Sequence, residues 1–205
     1  MTDLMRYAAA VAGAEANDGG DLPLEKWNPD YCGAIDLVIR ADGVWIHEGS
    51  PIGRARLVRL LSRVIRKDPD GYVLVTPAEK LSFHVEDAPF IAVAMEARPR
   101  DDGGPAGLVF TTNVGDVVAA DAAHPVVMRR PPAALAARGA ADVAPRPYIH
   151  IRRGLWARVA RPVYYDLAAR GEYRQMDGEE RFGVASGGAF FPLADAGVIN
   201  SEDHR

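Results

Sequence analysis

A serine, a glycine and an arginine stand close together in Ser50-Pro51-Ile52-Gly53-Arg54, and at a helix start these residue types could hold an anion. Serine is a favoured N-cap, proline is tolerated at the first helical position, and the unbonded N–H groups of a first turn attract negative charge. Gly53 would let a ligand approach the backbone, and Arg54 would offer a guanidinium fork to a phosphate. The same residues also make an ordinary capped helix with a solvent-facing arginine. Histidines and carboxylates cluster at His47-Glu48 and at His84-Val85-Glu86-Asp87. Acid–base or metal chemistry would need these two places to converge. No HExxH motif, closed ligand spacing or nucleophile elbow accompanies them, and partly exposed polar strand positions are the simpler account. The expectation is no catalytic residue, no metal site and no cofactor.

Other polar segments have two readings each. Thr111-Thr112-Asn113 and Ser186-Gly187-Gly188 could contact a ligand, but turns use the same residues. A second helix start at Arg161-Pro162 has Arg152, Arg153 and Arg158 close in sequence, although strand alternation turns Arg152 and Arg153 to opposite faces. Gly103-Gly104-Pro105-Ala106-Gly107 lacks the lysine and the following helix of a phosphate loop.

The elements that must position these residues can be read from periodicity. Ile35–Arg40 and Val44–His47 are expected as strands around an Asp42-Gly43 hairpin turn. A helix opening at Ser50-Pro51 would bury Leu57, Leu60, Leu61, Val64 and Ile65, which recur at i, i+3, i+4, i+7 and i+8. Arg56, Arg59, Arg63 and Arg66 would occupy its other face until Asp68-Pro69-Asp70-Gly71 stops it. Tyr72–Val75, Leu81–Val85 and Phe90–Ala97 read as strands, as do Leu108–Thr112, Val117–Ala119, Tyr148–Arg152, Leu155–Val159 and Phe182–Ala185. Pro162–Ala169 reads as a second helix. Residues 130–147 suggest a loop with at most a short helix, and the polar tail from Asn200 is expected to fray.

Composition narrows the function. With 205 residues, 48% apolar and 25% charged, the chain suits one large soluble domain or two small ones. A lone cysteine, Cys32, permits no internal disulfide and fits a reducing, cytoplasmic setting. A net charge of −4 argues against a nucleic-acid polymer as partner, and no apolar run is long enough to cross a bilayer. Asp3 weakens any positive segment before the apolar Tyr7–Ala14, and the run is less hydrophobic than a usual signal-peptide core, so a short helix packed on the domain is expected instead. Given the acidic balance, the arginine face is expected to be solvated rather than bound to RNA or anionic lipid.

Two segments repeat a pattern: Gly43-Val44-Trp45…Pro51 and Gly154-Leu155-Trp156…Pro162. Each follows a strand and precedes a proline-initiated helix and then a strand ending in a small hydroxyl residue. Thr76 comes 31 positions after Trp45, and Ser186 comes 30 after Trp156. Matched spacings in one order point to duplication, and clefts between duplicated halves are common ligand sites.

Trp27-x-Pro29, Asp42-Gly43-x-Trp45, Gly49-Ser50-Pro51-Ile52-x-Arg54, Asp70-Gly71-Tyr72, Thr76-Pro77-x-Glu79-Lys80 and Val85-Glu86-Asp87-Ala88-Pro89-Phe90 together resemble a bacterial family, domain of unknown function 1285. Thr112-Asn113, Pro147-Tyr148-Ile149, Arg153-Gly154-Leu155-x-Ala157, Tyr164-Tyr165 and Ser186-Gly187-Gly188 resemble its C-terminal half. The resemblance spans about Trp27 to Leu193. It implies an α+β fold with an internal duplication, a C-terminal half loosely like a pleckstrin-homology domain, and a ligand site between the halves for a nucleotide-like signal molecule.

The expected architecture is therefore α+β, with an N-terminal helix and linker over 1–22 and two duplicated strand-strand-helix-strand subdomains over 23–98 and 106–199. The expected function is binding of a small anionic, phosphate-bearing ligand in signal transduction, at an inter-domain cleft, through Ser50, Arg54, Thr76, Asn113, Tyr148, Arg152, Arg158 and Ser186. The alternatives are a hydrolase using His47 or His84 with Glu86 or Asp87, and an interaction module recruited through the arginine face.

Overall fold

The computed structural model describes residues 4–18, 22–99, 106–136 and 144–195. The chain divides after Pro89 into two units, each a mixture of helix and antiparallel-rich sheet, so the α+β class holds.

The N-terminal unit opens with α1 (Leu4–Asp18), which extends in both directions beyond the short helix expected over Tyr7–Ala14. Leu4, Tyr7, Ala8 and Val11 recur at i, i+3, i+4 and i+7, and all four are buried. The Tyr7 hydroxyl donates to the Glu79 carbonyl at 3.4 Å, and burial pushes its phenol well above the ordinary range. Of the linker expected at Asn17–Leu22, α1 takes Asn17 and Asp18, and residues 19–21 lie outside the described residues.

Six strands follow: β1 (Tyr31–Ile39), β2 (Trp45–His47), β3 (Ser50–Pro51), β4 (Ile65–Asp68), β5 (Gly71–Val75) and β6 (Lys80–Val85), with α2 (Ala55–Ser62) between β3 and β4. They form one sheet in the order β3-β2-β1-β6-β5-β4. It consists of two three-stranded antiparallel meanders joined by a parallel pairing of the first strand, β1, with the last, β6. Ile35, Leu37 and Ile39 of β1 are buried at period two, and Trp45 registers opposite Ile39 on that same face. The Asp42-Gly43 hairpin turn is present, with Gly43 at φ 82°.

The helix differs from expectation at both ends. Ser50 and Pro51 pair with His47 and Ile46 as a third strand, where proline is tolerated because β3 is an edge. The helix therefore begins at Ala55, and its N-cap is Arg54 with no side-chain capping bond. It ends at Ser62 rather than at Asp68, because Ile65–Asp68 pairs with β5 across the Pro69-Asp70 turn.

Arg66, expected on a helix face, instead extends from β4. Its guanidinium donates to the carbonyls of Leu24 (3.0 Å) and Trp27 (2.7 Å), tying a 3-10 turn at Leu24–Lys26 to the sheet, and it pairs with Asp68 at 2.6 Å. The hydrogen bond from Arg66, opposed by burial and reinforced by the Arg66 and Lys80 charges, holds the Asp68 carboxyl below its usual range. A depressed carboxylate contributes stability that is fully present above the unfolded value of about 3.9 and lost as pH falls below it. Urea midpoints should thus drop on acidification below about pH 4. Asp68→Asn should be weaker at neutral pH but decline less in acid. Parallel declines in the two proteins would remove this pair from the account.

The C-terminal unit contains β7 (Phe90–Arg98), β8 (Gly107–Thr112), β9 (Val117–Ala119), β10 (Val126–Arg129), α3 (Ala133–Ala136), β11 (Arg146–Arg152), β12 (Leu155–Val159), α4 (Arg161–Ala168), β13 (Glu172–Met176), β14 (Glu179–Ser186) and β15 (Ala189–Asp195). One sheet has the order β10-β11-β12-β7-β8-β9, again two three-stranded meanders joined by a central parallel pair, here β7 with β12. A second sheet has the order β13-β14-β15. The Pro/Gly-rich stretch at 98–107, expected as the boundary, joins β7 to β8, which pair from Arg98↔Gly107 onward. Phe90–Arg98 accordingly belongs to the C-terminal unit rather than to the N-terminal one.

Candidate functional site

The Ser50–Arg54 segment lines a cleft in the N-terminal unit. Glu48 and Gly49, at φ 47° and 74°, form the two-residue connection between β2 and β3, and both left-handed residues match the twist of a tight hairpin. Glutamate at positive φ carries some strain, which the flanking His47↔Ser50 and Ile46↔Pro51 pairs hold in place. The Ile52 amide then donates to the Trp45 carbonyl at 2.8 Å, fixing where the chain leaves the sheet. Gly53 and Arg54 lead into α2, with Arg54 extended at φ −93° and ψ 94°.

The resulting cleft measures about 580 Å³ and is lined by His47, Glu48, Ser50, Gly53 and Arg54, with Leu4 and Met5 of α1 and Leu57 of α2. Arg54 is exposed, and its Nη1 lies 3.9 Å from the Met5 sulfur. No carboxylate among the described residues pairs with Arg54. A Cβ added at Gly53 would meet nothing within 4 Å, so the backbone there is open to approach. Glu48 supplies an opposing charge at the cleft wall.

His47 lines this cleft but does not converge with His84. His47 registers opposite Leu37 and His84 opposite Val38, and adjacent residues of β1 face opposite sides of the sheet. The His47 Nδ1 sits 2.8 Å from the Asp36 carbonyl, a donating arrangement, and a Glu86 oxygen accepts from the Ala41 amide at 2.9 Å. Among the described residues no group of three His, Cys, Asp or Glu could hold a metal ion.

Thr76 does not line the cleft. It is buried in the β5–β6 turn, where its hydroxyl accepts from the amides of Glu79 (3.1 Å) and Ala78 (3.4 Å). In the C-terminal unit, the Asn113 side-chain oxygen accepts from the Ile91 amide at 2.9 Å, stapling the β8–β9 turn to β7. Arg152 pairs with Asp116 of that turn and lies over the Phe90 ring, 4.8 Å from its centre. Asn113 and Arg152 therefore share one end of the sheet. Tyr148 registers opposite Arg158, with Tyr148 buried and Arg158 half-buried. Ser186 is buried, donating to the Ala120 carbonyl at 2.7 Å and accepting from the Leu108 amide at 2.8 Å. The hydroxyls of Thr76 and Ser186 thus bind backbone.

Met5 and Leu57 were missed as site residues. Leu57 reads as core by periodicity, and Met5 is brought in by the burial of Leu4, Tyr7, Ala8 and Val11, a pattern visible in the sequence.

Two family profiles match the chain: the N-terminal domain of a domain of unknown function (DUF1285) over residues 22–88, and the C-terminal domain of a protein of unknown function (DUF1285) over 89–193. No curated protein matches. Among solved structures, a DUF1285 family protein from Silicibacter pomeroyi DSS-3 is 38% identical, with 93% of this chain and 97% of that one covered at a TM-score of 0.76. A DUF1285 family protein from Shewanella baltica OS155 is 27% identical, with 64% and 89% covered and a TM-score of 0.46. Matched in order through both halves and by a relative of nearly its whole length, the chain belongs to the DUF1285 family.

Proposed function

We propose that the protein is a non-enzymatic, cytoplasmic binder of a phosphate-bearing small molecule, nucleotide-like in the signalling role expected from the sequence, with Arg54 as its anchor. The observation that carries this reading is Arg54 itself: an exposed guanidinium without a carboxylate partner among the described residues, at the wall of a cleft that also presents Ser50 and an open Gly53. A guanidinium offers a phosphate two parallel N–H donors, and a concave wall screens such a pair less than open surface does.

Thermal-shift and calorimetric screening against inorganic phosphate and nucleoside mono-, di- and triphosphates should give a stabilising ligand. Arg54→Ala should weaken it about tenfold or more, the loss of a charge-assisted hydrogen bond. Glu48→Gln, which removes the opposing charge, should tighten it. A well-folded protein that answers to none of the panel, or a ligand indifferent to Arg54, defeats the proposal.

Duplication is part of the same proposal. In each half a hairpin (β1–β2, β11–β12) precedes a helix (α2, α4) and then a three-stranded meander (β4–β6, β13–β15). Thr76 and Ser186 are both buried hydroxyls at the second turn of that meander. The halves have since diverged: β6 joins β1, whereas β13–β15 form a sheet of their own.

A further inference from the structure

Beside the Arg54 cleft lies a second hollow of about 330 Å³ between α1 and α2. Met5, Ala8, Ala9, Leu57 and Leu60 line it, with Arg54 and Arg56 at its margin. Met5, Arg54 and Leu57 line both spaces, so the two are neighbours across these side chains. The first presents Ser50 and Arg54, the second is mostly hydrocarbon, and Arg54 lines both. Met5, which lines both spaces, is a large apolar side chain left 52% exposed. Arg54 and Arg56 are both exposed, and no carboxylate among the described residues pairs with either.

A nucleobase requires polar partners for its ring edges, and apart from the guanidinium groups the second hollow offers none. A hydrocarbon chain requires only methyl and methylene neighbours. The apolar groups here line a depression instead of protruding, which suits one chain taken from solution rather than a bilayer surface, and the net charge of −4 disfavours an anionic membrane.

Resting on the reading of the Arg54 cleft as a phosphate site, but with a hydrocarbon chain rather than a nucleoside on that phosphate, we infer that the ligand is a single-chain anionic amphiphile. Arg54 holds its phosphate-type head beside Ser50, and its tail lies along Met5, Ala9, Leu57 and Leu60.

The test is calorimetric titration with butyl, hexyl, octyl and decyl phosphate, each below its micelle-forming concentration, against inorganic phosphate. Affinity should climb about threefold per added pair of methylenes, a fraction of the roughly fourfold per methylene seen on full burial. Ala9→Gln, at an exposed position of α1, should flatten this series. Arg54→Ala should weaken every member alike. If phosphate binds but chain length adds nothing, the amphiphile is wrong and the anion site stands. If neither phosphate nor any alkyl phosphate binds, both readings fall. A chain-length gain that survives intact in Ala9→Gln puts the tail elsewhere and overturns the inference. So does binding confined to micelles or anionic vesicles, which would mark a membrane surface.

Discussion

Trp45→Ala should destabilise the N-terminal unit by about 3–5 kcal/mol, the range for emptying a buried large aromatic position. Trp45 is 2% exposed on β2, opposite Ile39 and on the face that β1 buries. Its indole N–H is buried with no hydrogen-bond partner among the described residues, so the residue contributes volume and contact rather than a polar bond. Trp45→Phe, which keeps most of the ring, should therefore cost only about 1–2 kcal/mol. Urea unfolding followed by far-ultraviolet circular dichroism separates the two. Equal losses from phenylalanine and alanine would mean that the indole nitrogen is engaged after all.

Ser186→Ala should be the most damaging single-atom deletion in the C-terminal unit. The missing oxygen strands a buried amide at Leu108 and a buried carbonyl at Ala120, each worth about 1–3 kcal/mol when left unsatisfied. Gly187 reinforces the joint: at φ 59° it lies so close that an added Cβ would stand 2.6 Å from the Ala120 carbonyl. The expected loss is about 2–5 kcal/mol, with faster amide exchange at Leu108 before any global change. Wild-type stability with an unchanged Leu108 exchange rate would show that the staple is dispensable. By contrast, Asn113→Ala removes a single acceptor, from the Ile91 amide, at an exposed residue and should cost about 1 kcal/mol.

These cases show what the residue pattern can and cannot reveal. Asp42-Gly43 announced its hairpin because glycine there meets a conformational demand that few residues meet. The Glu48-Gly49 turn went unseen because glutamate at φ 47° is not a turn signal, and without that turn Ser50-Pro51 reads as a helix cap rather than a third strand. Ile65 continued the helical stripe of Leu57 and Leu61, yet partners in β5 claimed it for a strand; long-range pairing overrode local period. Glu172–Met176 escaped because nearly all its side chains are solvated, and Ala189–Asp195 because Pro192 weakens any strand reading away from an edge. The candidate site was half legible. Ser50 and Arg54 do share a cleft, but the hydroxyls expected as ligand contacts, Thr76 and Ser186, bind backbone instead. Sequence gives residue type, and a turn needs the same types as a ligand does.

The parallel seam at the centre of each six-stranded sheet joins strands far apart in sequence, so it is among the last contacts each sheet can make. In synthesis β1 emerges well before β6, and its seam edge stays open until β6, the last strand of the unit, has been made. Closing it spends chain entropy over a long loop before any seam contact is gained, a slow and nucleation-limited step. Since β7 follows β6 directly, the N-terminal seam can close before the C-terminal one has opened. Refolding from denaturant loses that timing. Two like edges, β1 and β7, are then bare together, so nascent chains should reach the native state more cleanly than renatured ones.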